Sequence, residues 1–283
     1  MSRKVAKLVH PEKLDVISFN GSFHGRTMGS LSMTYKAIYR DPFTPLLPNV
    51  HFANLNDISA VKDLITDRTA AVMVEPIQGE GGIHPCTTEF IHTLRELCNK
   101  HQASLVFDEV QCGLGRTGKL WAYEHFTTKD NEVIQPDILT FAKPIAGGLP
   151  MGGVLVNKHV ATNLAKGDHG TTFGGGPLVC RAATVVFDRI SNPKFLKQVE
   201  ENGKFLIESL KAIKSEKIVD IRGSGLFVGI EFSQPVAPII TKAFEEGILI
   251  INAGENVIRL CPPLIVNREE LTRVVEAIRK ALV

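Results

Sequence analysis

Ala103-Ser104-Leu105-Val106-Phe107-Asp108 reads as a short buried strand that ends in a carboxylate. The run is apolar on both alternating faces and too short for a helix, which fits a strand covered from two sides. The same pattern recurs upstream as Ala70-Ala-Val-Met-Val-Glu75 and downstream as Asp137-Ile-Leu-Thr-Phe-Ala-Lys143. From Glu75 to Asp108 is 33 residues and from Asp108 to Lys143 is 35, each about one βαβ repeat. Three reactive side chains should therefore converge on one carboxyl edge of a mostly parallel sheet, where open α/β sheets collect ligands.

Outward from this core, Asp15–Asn20 and Gly153–Val156 read as further strands, and Thr87–His101 and Pro177–Ile190 as helices. The character changes near Ser191-Asn-Pro193. A long amphipathic helix over Phe195–Ile213 follows, then strands near Val219, Leu226–Phe232, Ile248–Asn252 and Val257–Leu260, and a closing helix over Arg268–Leu282. The expected organisation is a large α/β domain over residues 1–190 and a smaller α+β domain over residues 191–283. Met1-Ser-Arg-Lys-Val-Ala-Lys-Leu-Val9 reads as the basic end of a helix, where cations oppose the negative pole of the dipole.

Composition narrows the chemistry. The chain is 44% hydrophobic and 22% charged with a formal net charge of +2, and its charges form no basic run. That argues against nucleic acid and anionic membrane as partners. No apolar stretch reaches the ~18 residues of a membrane span. Cys86, Cys98, Cys112, Cys180 and Cys261 are odd in number and lack paired zinc-site spacing, so reduced thiols and no metal site are expected.

Lys143 stands in Phe141-Ala-Lys-Pro-Ile-Ala-Gly-Gly-Leu-Pro-Met-Gly152. Pro144 keeps it out of helical geometry, and a lysine buried at a strand end must lower its pKa or find a covalent partner. An aldehyde cofactor answers both needs. The plain alternative is a surface lysine in a glycine-rich turn. Asp108 would suit a protonated pyridine nitrogen, or be a helix N-cap after its strand. In Phe23-His-Gly-Arg-Thr27, Phe23 can stack on a flat ring and Arg26 offers a fork for a carboxylate. His24 reads equally as a core or rim histidine. His169-Gly-Thr-Thr-Phe-Gly-Gly-Gly176 is a hydroxyl- and glycine-rich loop suited to phosphate.

Taken in order, Ser22-Phe-His-Gly-Arg-Thr27, Glu75-Pro-Ile-Gln-Gly-Glu-Gly-Gly82, Asp108-Glu-Val-Gln111, Ala142-Lys-Pro144 with Gly147-Gly-Leu-Pro150, Thr171-Thr-Phe-Gly-Gly175 and Arg259-Leu-Cys-Pro-Pro-Leu264 resemble the class III pyridoxal-phosphate aminotransferases. The resemblance implies the aspartate aminotransferase-like fold, fold type I. It implies that Lys143 forms the Schiff base with pyridoxal 5'-phosphate and later shuttles the proton, and that Asp108 pairs with the pyridine nitrogen. Gln111 would contact the phenolic oxygen, with Phe23 and Val110 on the two ring faces. Thr172 would reach the phosphate of a neighbouring subunit, which implies a homodimer with shared sites. Arg26 would grip a substrate carboxylate. Glu80 and Arg259 would form an ion pair that opens to bind the α-carboxylate of glutamate or 2-oxoglutarate.

Gly147-Gly-Leu-Pro-Met-Gly152, Asp168-His-Gly-Thr-Thr172 and Ile251-Asn-Ala-Gly254 resemble the acetylornithine members of fungal type. These transfer the δ-amino group of N2-acetylornithine to 2-oxoglutarate for arginine synthesis in the mitochondrial matrix. Ornithine and 4-aminobutyrate enzymes share most of the motifs and remain alternatives, as does a cytoplasmic location. Family members have a Gly-Thr/Ser-Glu-Ala helix start whose amides bind the phosphate. Residues 1–9 match only the tail of that helix, so a non-catalytic subunit acting by dimerisation is the alternative of another class. Pro144 and Gly176 are smaller departures from the family pattern.

Overall fold

Strand-forming runs and capped helices alternate from the start of the chain, and the computed structural model of the protein describes residues 1–282. The first elements are α1 (Ser2–Val9), β1 (Asp15–Phe19), α2 (Met28–Ser32), α3 (Ala37–Arg40), β2 (Val50–Ala53), α4 (Ile58–Leu64) and β3 (Thr69–Val74). Next come the two-residue strands β4 (Ile77–Gln78) and β5 (His84–Pro85), then α5 (Thr88–Lys100), β6 (Ser104–Asp108), β7 (Ile138–Phe141) and β8 (Gly153–Val156). After α6 (Lys158–Thr162), α7 (Pro177–Ile190) and α8 (Pro193–Lys211) stand β9 (Ile218–Ser224) and β10 (Phe227–Phe232). The chain closes with α9 (Ala237–Glu245), β11 (Ile251–Asn252), β12 (Val257–Leu260) and α10 (Arg268–Ala281).

The residues divide into two compact units. One comprises Met1–Pro76, Cys86–Gln111 and Tyr123–Asp188, and the other Ile77–Pro85, Cys112–Ala122 and Arg189–Val283. The units are not contiguous in sequence. Two short segments, 77–85 and 112–122, belong with the second unit because their apolar residues find their partners there. Ile77, Ile83, Cys112 and Ala122 are buried in one cluster with Phe227.

The first unit is built on a six-stranded sheet in the order β2-β1-β3-β6-β7-β8. All pairs are parallel except β7 with β8. Side chains alternate across this sheet as the strand period requires. Ile17, Phe19, Val72, Val74, Leu105 and Phe107 meet Val61 of α4 and Phe90, Ile91 and Leu94 of α5. The other face sets Val16, Ala71, Met73, Val106 and Ile138 against Val5 of α1 and Val160 of α6. Helices thus cover both faces, which is why the strands carry no polar alternation. Phe90, Ile91 and Leu94 are fully enclosed, each stabilising the fold by roughly 2 kcal/mol. Thr87 starts α5 by accepting the Phe90 N–H, and Asp57 does the same for α4 from Ala60.

The second unit holds the antiparallel sheet β11-β12-β10-β9 and the β4–β5 ribbon. Helix α10 packs against α8 and α9, and α8 lies on β9 and β10. Contact at Gly203 of α8 is close enough that an added Cβ would sit 2.2 Å from the Gly225 carbonyl oxygen. The α10 start is a capping box in which Asn267 and Glu270 satisfy each other's backbone N–H.

Two expectations need adjustment. The strand expected over Ile248–Asn252 shrinks to Ile251–Asn252, because the Ile248 N–H closes the α9 turn on Ala243 instead of pairing with a neighbour. Strand β2 and helix α4 lie in a stretch for which no element was expected.

Candidate functional site

Register fixes the geometry at the sheet edge. Val74 pairs with Phe107 and Asp108 pairs with Thr140, so Glu75, Asp108 and Thr140 follow one another across β3, β6 and β7. Strand parity points all three toward the face of Met73, Val106 and Ile138. Glu75 and Asp108 are both buried. Lys143 stands three residues beyond Thr140, just past the end of β7.

The loop after β1 is pinned against these carboxylates. The Phe23 N–H donates to Glu75 Oε1 at 2.9 Å, and the His24 N–H to Thr34 Oγ1 at 2.9 Å. His24 Nδ1 lies 2.7 Å from Asp108 Oδ2, with a side chain that is 0% exposed. The other carboxylate oxygen, Oδ1, accepts from the Val110 N–H at 3.1 Å and the Thr140 hydroxyl at 3.2 Å. Burial alone would lower the His24 pKa, but the Asp108 hydrogen bond and the charges of Asp108 and Glu75 outweigh it and hold the pKa above its ordinary value. His24 Nε2 is buried and meets no hydrogen-bond partner among the described residues.

Val110 and Gln111 form the turn after Asp108, both half-buried. Phe23 is half-buried, and the Arg26 guanidinium stacks near its ring. Lys143 departs from expectation: it is exposed rather than buried, with φ +21°. The strand ends at Phe141, and a turn closed by the Ile145 N–H on the Ala142 carbonyl carries Lys143 off the edge. The amine has no hydrogen-bond or ion-pair partner among the described residues. Thr172 sits in an exposed loop before α7, far along the chain from the strand ends, and no hydrogen bond there ties it to Asp108 or Lys143. In the second unit, Arg259 of β12 binds Glu80 at 2.6 Å as an ion pair. Arg259 also borders an apolar groove lined by Leu206, Leu249, Ile251 and Leu260.

His24 and Thr140 are the contacts that residue type had not assigned. His24 had a usable signal, since a buried histidine one residue after an aromatic, beside two buried strand-end carboxylates, has a reason to be charged. Thr140 had only its register with Asp108, which needs the strand pairing to be known. Among the described residues there is no cluster of three or more His, Cys, Asp or Glu suited to a metal ion. No described helix is long and apolar enough to cross a membrane.

This arrangement can hold a flat cationic heterocycle. A buried carboxylate with an imidazole behind it suits a protonated ring nitrogen, an aromatic side chain lies nearby, and Lys143 follows the adjoining strand two residues beyond its end. Comparison with known proteins agrees in kind. The aminotransferase class-III family profile matches residues 1–282. A relative from Dictyostelium discoideum, named probable acetylornithine aminotransferase, mitochondrial, is 50% identical over 96% of this chain and 60% of its own. One from Alnus glutinosa, named acetylornithine aminotransferase, mitochondrial, is 46% identical over 99% of this chain and 63% of its own. The chain therefore spans about three fifths of the length of these relatives. Among solved structures, the ornithine aminotransferase of Toxoplasma gondii superposes with a TM-score of 0.91 at 30% identity, over 99% of this chain and 68% of that one.

Proposed function

Given that this chain belongs to the class III aminotransferase family, we propose that it moves the δ-amino group of N2-acetylornithine to 2-oxoglutarate, using pyridoxal 5'-phosphate. One observation carries this reading: His24, Thr140 and the Val110 N–H converge on the buried Asp108 carboxylate where β6 ends, and Lys143 follows the neighbouring strand β7. The donor is taken from the names of the relatives. When bound, the cofactor supplies an aldehyde for an amine to join and an electron-withdrawing ring.

Residues of this chain do the rest. Asp108 would pair with the ring nitrogen, and His24 holds the Asp108 carboxylate in place from behind. Phe23 and Val110 would hold the ring's two faces, and Gln111 would donate to its phenolic oxygen. Lys143 Nζ would anchor the cofactor and would be the group to carry a proton at the substrate carbon. Among the described residues no side chain competes for its amine. Arg26 binds the donor carboxylate as a fork. In the second unit the Glu80–Arg259 pair opens for the α-carboxylate of glutamate or 2-oxoglutarate. Residues 1–190 form the cofactor-binding domain in this reading, and residues 191–283 the smaller one.

A homodimer with shared sites belongs to the same proposal. Thr172 then serves the neighbouring subunit's phosphate. Phe173 beside it is 89% exposed and Leu178 and Val185 of α7 are also bare, which supports a partner surface here. The mitochondrial matrix is the proposed location, on the relatives' names.

An absorbance spectrum of the purified chain with added pyridoxal phosphate tests the proposal. The expected result is a visible band that Lys143→Ala lacks, that N2-acetylornithine bleaches at lower concentration than ornithine or 4-aminobutyrate, and that yields glutamate after 2-oxoglutarate is added. No band in the intact chain would defeat the proposal. A band bleached best by ornithine would replace the donor and keep the reaction.

A further inference from the structure

We propose that Tyr39 is a positioning residue that holds the Arg26 guanidinium ready for the donor's carboxylate, a role that rests on the reading of Arg26 given above. Arg26 lies in the loop between β1 and α2 and is exposed. Among the described residues it makes no hydrogen bond and no ion pair. Its protein partners are two aromatic rings: Arg26 Cζ is 3.6 Å from the centroid of the Tyr39 ring and 5.6 Å from that of Phe23. The two rings meet edge to face, with centroids 6.2 Å apart and planes at 89°.

This packing has a chemical consequence. A guanidinium held by its flat face keeps its N–H donors in the plane, pointing outward, and so remains able to form a bidentate pair with a carboxylate. An ion pair with a protein carboxylate would have occupied the same donors. An unstacked arginine would spread over many rotamers and lose more freedom on binding. Cation–π attraction restrains the side chain without consuming its donors.

Tyr39 is itself held. It lies on α3, where its N–H bonds the Lys36 carbonyl at 3.0 Å, and the next residue, Arg40, stacks 4.8 Å from the centroid of Phe52 on β2. The Tyr39 hydroxyl makes no hydrogen bond among the described residues, so the ring and not the hydroxyl carries the role. Because Phe23 touches the same ring, Tyr39 links the carboxylate-binding group to the residue proposed to stack on the cofactor.

Arginine labelling of the full chain by phenylglyoxal, read at Arg26 by peptide mass spectrometry, tests this without requiring turnover. Tyr39→Phe should label Arg26 at the wild-type rate. Tyr39→Leu should label it faster, and the N2-acetylornithine concentration that half-protects Arg26 should rise about fivefold, the loss expected for one exposed cation–π contact. Far-ultraviolet circular dichroism and a urea midpoint equal to those of Tyr39→Phe show that Tyr39→Leu is folded. Equal labelling and equal protection in wild type and Tyr39→Leu would overturn the proposal, and so would an effect of the same size in Tyr39→Phe. A wild-type chain that N2-acetylornithine protects but that produces no glutamate would defeat the aminotransferase reading alone and leave the Tyr39 result standing.

Discussion

Replacing His24 by Phe keeps a ring in the pocket behind Asp108 and removes its charge. Breaking a buried pair by deleting one partner costs roughly 3–5 kcal/mol, because the other charge stays buried. Two features reduce that figure here. Asp108 keeps its bonds from Val110 and Thr140, which argues for the middle of the range, about 4 kcal/mol. The partnerless Nε2 of His24 is itself a cost of about 1–3 kcal/mol that Phe abolishes. The net loss should be about 2 kcal/mol while the imidazole is charged.

The pH dependence follows from the direction of the His24 shift. Its folded pKa lies above the ordinary 6.5, so the folded state binds the proton more tightly than the unfolded chain. The stabilisation is fully present below 6.5 and is lost as pH rises through the folded pKa. Above that point the wild type keeps only a neutral imidazole bonded to a carboxylate, worth about 1.5 kcal/mol, against the same buried-nitrogen cost. The gap between wild type and His24→Phe should then close to near zero. Urea unfolding of both chains at several pH values between about 5.5 and 9.5, followed by fluorescence, measures it. A gap that is constant across this range, or that widens toward alkaline pH, would refute the charged pair.

Three other outcomes are expected. Glu80→Gln removes the ion-pair partner of Arg259 and should make glutamate a better amino donor by about tenfold, since freeing that arginine no longer opposes a pair worth about 1–2 kcal/mol; an unchanged kcat/KM for glutamate would count against the gating role. Gly203→Ala should destabilise the second unit by more than about 2 kcal/mol, as a Cβ 2.2 Å from a backbone oxygen forces helix α8 off its strands; a urea midpoint within error of wild type would contradict the contact. In native conditions, a thiol reagent should react quickly with Cys261 and not with Cys86, Cys98 or Cys112, because these three are buried and burial pushes the Cys98 thiol up to about 12; fast modification of Cys98 would refute its enclosure.

What could be read beforehand depended on how local the cause was. The ends of β3 and β6 were legible because an apolar run of fixed length closing in a reactive residue is a local pattern, and parallel register then sets Glu75 and Asp108 side by side across the sheet. Strand β2 was not, since Val50-His-Phe-Ala53 is short and follows Pro45 and Pro48, and it becomes a strand only by pairing with β1 at the sheet's edge. Exposure of Lys143 was missed for a related reason. Strand residues are buried by neighbours on both sides, but Lys143 lies two residues beyond β7, where the turn sets its direction. The His24 contact joins residues 84 apart in sequence, and nothing at either end alone specifies it.

The second unit is assembled from pieces that leave the ribosome far apart in time. Segments 77–85 and 112–122 are synthesised well before Arg189–Val283, with which they share a core. During that interval Ile77, Ile83 and Cys112 have no Phe227 to pack against. The first unit also relies on Tyr123–Asp188, but its five consecutive parallel strands β2, β1, β3, β6 and β7 are complete by Phe141. Synthesis therefore imposes an order in which the large sheet can close first while two apolar strips wait exposed, and a translation pause before the last hundred residues would lengthen the window in which those strips can attract a holdase or another nascent chain.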